Sequence, residues 1–150
     1  MPEQETLRRA EKDAQEGKAP STQAGEFVKE EMDHIREGKH GARSTKQAIA
    51  IGLSKARRAG VDLPPPRAGS TSEETRRKAA SDTSKGRSSS QRQPSKTRSQ
   101  ATKAALKREG SKAASRSSLS RQAKASARKR GPGARRASAK KAARTRSMSG

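Results

Sequence analysis

The chain has 150 residues, with 37 Lys and Arg against 15 Asp and Glu, a formal net charge of +22, and only 26% apolar and 1% aromatic residues. So little apolar material excludes a large buried core, and the absence of cysteine excludes disulfides, thiolate zinc ribbons and thiol catalysis. Low hydrophobicity with high net charge marks chains whose burial cannot offset conformational entropy, so the expected fold class is mostly disordered with a small all-α element.

The charge is uneven. Residues 1–37 carry 6 basic and 10 acidic side chains, residues 38–68 carry 7 and 1, and residues 69–150 carry 24 and 4. No apolar run approaches the roughly 18 residues of a membrane span, and the acidic start MPEQETLRRAEKD is unlike a secretory signal. A cytosolic protein with no membrane span is expected.

Three regions are expected: a mixed-charge lead (1–20), a helical hairpin module (21–66) and a basic tail (67–150). In the lead, Glu5/Arg9, Arg9/Asp13 and Lys12/Glu16 place opposite charges one helical turn apart. Leu7 is its only large apolar residue, so a frayed, solubilising helix ending near Gly17 is predicted, followed by a linker, GKAPST.

The hairpin's first helix is predicted at about 25–37. Val28, Met32 and Ile35 fall at i, i+4 and i+7 with Phe27 beside them, Ser21 or Thr22 could cap its start, and Gly38 stops it. Glu30, Glu31, Asp33 and Glu37 read as a solvated face. The connector GKHGAR follows, in which Lys39, His40, Arg43 and Ser44 form a candidate phosphate turn before a helix start.

Ser44 and Gln47 have the spacing of a capping box, and Gly60 and the prolines at 64–66 end the second helix, predicted at about 45–59. Ile49, Leu53 and Ala56 form one line. Ala48, Gly52 and Ala56 form a second, small-residue line. Glycine costs about 1 kcal/mol in a helix, so Gly52 implies close approach of a partner helix. Ile51 points away from the Ile49 line and would be exposed in a lone hairpin. A unit of about 40 residues is also marginal alone. A homodimer through the hairpin, or docking on an unidentified protein partner, is expected.

The segment KHGARSTKQAIAIGLSKARRAGVDLPPP resembles the shared segment of a family of small, basic, functionally uncharacterised bacterial proteins. That family is recognisable by Lys-His-Gly followed by S-x-K-Q-A-I-A-I-G/A-L-S-x-A-R-x-A-G. The resemblance covers roughly residues 25–66 and implies a bacterial origin but no activity.

From Gly69 onward the only large apolar residues are Leu106, Leu119 and Met148, so the tail is expected to be a disordered low-complexity segment. Its Lys/Ala/Ser bias resembles the C-terminal tails of linker histones and histone-like bacterial proteins. Without aromatic residues it offers bases no stacking platform, which leaves phosphate contact and favours duplex DNA over RNA. The expected contacts are Arg57, Arg58, Lys103, Lys107, Arg108, Lys112, Arg128, Lys129, Arg130, Arg135, Arg136, Lys140, Lys141 and Arg144.

No catalytic constellation is present: no serine stands with a base and an orienting acid. His34 and His40 are the only histidines. Metal ligation would need both to converge across a glycine connector, so neither a metal site nor a cofactor is expected. The leading expectation is a non-enzymatic, nucleoid-associated, DNA-coating protein. A protein-interaction adaptor, an RNA- or ribosome-associated protein and a disordered stress protectant are the alternatives.

Overall fold

The computed structural model describes residues 2–87 and 95–149. Helix accounts for 76% of them, in six α-helices and one short 3-10 turn among the described residues. The expectation of a mostly disordered chain is thereby overturned. The expected tail carries α4 (Glu73–Arg87), α5 (Lys96–Lys107), the 3-10 turn Lys112–Ala114 and α6 (Arg116–Ser149), while residues 88–94 lie outside the described residues. The reason is local. Alanine, lysine, arginine and glutamine are strong helix formers, and a helix satisfies its own backbone without needing a core. Poverty in large apolar residues limits tertiary packing, not helix.

The chain divides into two compact units, residues 1–114 and 115–150. In the first, α1 (Gln4–Gln15) packs on α2 (Pro20–Arg36), α2 on α3 (Thr45–Arg58), and α3 on α4. Ala10, Ala24, Phe27, Ala56 and Val61 form a buried cluster, with Leu7, Leu53 and Leu63 packed against it. Helix α1 is therefore no frayed lead: Thr6, Ala10 and Asp13, at i, i+4 and i+7, are all buried. Such small and polar residues carry no hydropathy signal.

Helix α2 begins five residues earlier than predicted. Pro20 occupies its first turn behind Ala19, so Ser21 and Thr22 lie inside the helix rather than capping it. Proline suits this position because its fixed φ matches the helix and its missing N–H would go unbonded there anyway. Helix α3 starts where expected. Ser44 Oγ accepts the Gln47 amide (3.1 Å), and Gln47 Oε1 accepts the Arg43 amide (2.7 Å), one residue before the usual return bond.

The face that α3 buries is the small one. Ala48, Gly52 and Ala56 are buried, whereas Ile49, Ile51 and Leu53 are half-buried. A Cβ on Gly52 would lie 2.7 Å from Val28 Cα and 3.0 Å from its amide nitrogen, so α2 backbone occupies the space a side chain would need. Gly52→Ala should destabilise the protein by about 1–3 kcal/mol, because forcing the helices apart outweighs the roughly 1 kcal/mol gained in helix propensity. Urea denaturation measures this, and a more stable variant would refute the close approach. Ile51, expected to be exposed in a lone hairpin, is half-buried within the single chain.

The connector after α2 is sewn to a distant segment. Gly41 N donates to Leu106 O (2.8 Å) and Ala42 N to Gly110 O (3.1 Å), while Thr45 Oγ1 reaches Ala113 O (2.6 Å) and Arg36 Nε reaches Ala114 O (3.1 Å). Any Cβ at Gly41 would strike the carbonyls of Glu109 and Gly110, so only glycine admits this turn.

Candidate nucleic-acid interface

The second unit holds the densest charge. Residues 115–150 contain twelve Lys and Arg and no Asp or Glu, and none of the described residues of α6 is buried. At 1.5 Å per residue the two straight parts, 116–130 and 132–149, run about 22 and 27 Å. Between them Gly131 leaves the helical region (φ 81°, ψ 169°) and Pro132 restarts it. Arg128, Lys129, Arg130, Arg135, Arg136, Lys140, Lys141 and Arg144 are all exposed. Arg136, Lys140 and Arg144, spaced by four, form a cationic stripe along the second part. Pro132, Arg135, Arg136 and Ala139 line an open recess at the bend. Alanine and serine fill the rest, so α6 has no apolar face with which to lie in a lipid surface. Among the described residues no helix is long and apolar enough to cross a membrane.

In the first unit Lys103, Lys107, Arg108 and Lys112 are likewise exposed, but Arg57 and Arg58 are committed elsewhere. Arg57 is 7% exposed and donates from Nε to Leu63 O (3.4 Å) and from Nη2 to Pro64 O (3.0 Å). Desolvation lowers its guanidinium pKa. It anchors the proline segment against α3 and cannot reach a phosphate. Arg58 Nε donates to Asp82 Oδ1 (2.8 Å), and Asp82 also accepts Ser54 Oγ (2.7 Å). Arg57 is thus a buried strut between α3 and the proline segment, whereas the Arg58 side chain remains 49% exposed beside Asp82.

The candidate phosphate turn has acidic neighbours. Lys39 Nζ lies 3.3 Å from Glu3 and 3.4 Å from Glu37, His40 Nε2 lies 3.1 Å from Glu31 Oε2, and Ser44 is consumed as the α3 cap. Lys39, Arg43 and Ser44 are exposed and His40 is half-buried. The carboxylates of Glu3, Glu31 and Glu37 thus compete with any anion for Lys39 and His40.

Those carboxylates form the polar centre of the first unit. Glu30 and Glu31, expected on a solvated face, are 5% and 0% exposed, because α2 is enclosed by α1, α3 and the connector together. Glu31 Oε1 pairs with Lys55 Nζ from α3. Glu31 Oε2 faces His40 Nε2 at an angle that makes no hydrogen bond, so that oxygen has no donor, and Glu30 Oε2 has none either. Glu30 Oε1 accepts the Glu3 amide (2.8 Å), and Glu3 Oε1 meets His34 Nε2 at 3.0 Å. Hydrogen bonds from His34 and Lys39 hold the Glu3 carboxyl below its ordinary pKa. The two histidines converge, with ring centroids 6.1 Å apart and edge to face. The fold-back of the connector onto residues 106–110 fixes His40 there, and no local pattern announces it.

Residues 20–67 match the family of unknown function DUF6496. The DUF6496 segment is about a third of the chain. It contains α2, the connector, α3 and the proline segment, and hence Glu30, Glu31, both histidines and Lys55, but neither α5 nor α6. No curated protein and no solved structure matches the chain significantly.

Proposed function

We propose that the protein is a non-enzymatic, sequence-blind nucleic-acid binder that lays α6 along the phosphates of duplex DNA, which would place it on the nucleoid. The observation that carries this reading is the α6 charge: twelve cations in residues 115–150, no carboxylate to compete for them, and no burial. Such a surface concentrates polyanions by releasing their condensed counterions. Duplex is favoured over single strands because Phe27, the sole aromatic residue, is 1% exposed, so no ring is free to stack on an unpaired base.

The test compares the full chain with a variant carrying glutamine at Arg128, Lys129, Arg130, Arg135, Arg136, Lys140, Lys141 and Arg144. Glutamine retains helix propensity while removing charge. Fluorescence anisotropy on a random-sequence duplex should show binding weakened at least about 100-fold, with helix content unchanged by circular dichroism. Equal affinity for the two proteins would end the proposal.

A further inference from the structure

We propose that the polar centre of the first unit is a metal site in which Glu31, His34 and His40 hold one divalent transition-metal ion of the zinc class. One candidate ligand atom from each lies within 4.8 Å of the other two. Glu31 is fully buried, and its Oε2 points at His40 without receiving a hydrogen bond. A buried carboxylate oxygen left unbonded is costly, and a cation between it and the imidazoles removes that cost.

The outer contacts favour ligation too. A metal-bound histidine usually gives its second nitrogen to a carbonyl or a carboxylate, which fixes ring and tautomer. His40 Nδ1 lies 2.9 Å from Gly41 O, leaving Nε2 toward Glu31, and His34 Nε2 lies 3.0 Å from Glu3 Oε1, leaving Nδ1 as its free donor. Glu31 and His34 are one turn apart on α2, and His40 comes from the connector, so two rigid pieces of chain grip the ion. Glu30, whose Oε2 is also buried and unbonded, lies beside His34 as a second carboxylate.

The donor set selects the metal. Two imidazoles and a carboxylate suit zinc, cobalt(II) or nickel(II) rather than calcium or magnesium, which take oxygen ligands, and no thiolate is present for copper(I). Charge agrees: Glu3, Glu30, Glu31 and Glu37 outnumber the Lys39 and Lys55 cations that face them. Binding must draw the ligands in, since donors around tetrahedral zinc stand about 3.4 Å apart.

The inference is independent of nucleic-acid binding and is tested without it. The full chain, prepared without a histidine tag and stripped with chelator, is dialysed against zinc, and its two imidazoles are followed by nitrogen-15 NMR. One zinc per chain should bind, both imidazole signals should shift, and His34→Gln or His40→Gln should weaken binding at least about 100-fold. Imidazole signals that do not move in the unaltered protein, or zinc binding untouched by both substitutions, would overturn the site.

Discussion

Binding of the full chain to duplex DNA should weaken by about 10^3 to 10^5 between roughly 50 and 200 mM salt. Each phosphate neutralised releases about 0.9 counterion, so ten contacts give a slope of log K against log salt near −9. Helix α6 can supply them: twelve cations over about 49 Å of helix is one per roughly 4 Å, sparser than duplex phosphate, so each can find its own partner. No neighbouring carboxylate has to be displaced first. The eight-glutamine variant should lose up to about 7 from the magnitude of the slope, at 0.9 per cation removed. Duplexes of unrelated sequence should give superimposable titrations. A shallow slope common to both proteins would assign whatever binding remains to another surface.

Lys55→Met should lower the unfolding free energy by about 3 kcal/mol, toward the low end of what removing one partner of a buried ion pair costs. The asymmetry of exposure sets the size. The Lys55 side chain is 28% exposed and can be dispensed with, whereas Glu31 at 0% has nowhere to take its charge. Adding Glu31→Gln should restore most of the stability, because the amide brings no charge into the interior. Urea denaturation of both variants in the presence of chelator measures the pair alone. A loss below about 1 kcal/mol in Lys55→Met would mean that water reaches Glu31.

The two central helices were legible because their signals are local. Ser44 and Gln47 announce the start of α3, and Gly52 announces contact with α2 through nothing but its cost in a helix. What misled was reasoning from large apolar residues. Helix α1 docks through Thr6, Ala10 and Asp13, a set that does not register as hydrophobic. Pro20 opens α2 although Ser21 and Thr22 are the more familiar starting residues. Helices α4 to α6 owe their existence to alanine and long side chains, which a composition argument about cores ignores. The polar centre was illegible for a different reason. A helical wheel assigns one inside face, yet α2 has neighbours around most of its circumference, so Glu30 and Glu31 are enclosed by elements distant in sequence. Likewise Arg57 and Arg58 are ordinary basic residues until Leu63, Pro64 and Asp82 are seen to claim them.

The bonds that join residues 36–45 to residues 106–114 also bear on the order in which the protein assembles. Thr45 and Ala113 are 68 positions apart and Arg36 and Ala114 are 78, whereas α2 and α3 meet across a connector of a few residues. The helical pair can form on the timescale of local encounters, while the seam must wait for a loop of more than sixty residues to close, at an entropic cost its few bonds recover only once the pair exists to receive them. Gly41 and Ala42 are then the last amides of the first unit to leave solvent. Their backbone is where completion of the fold can be timed.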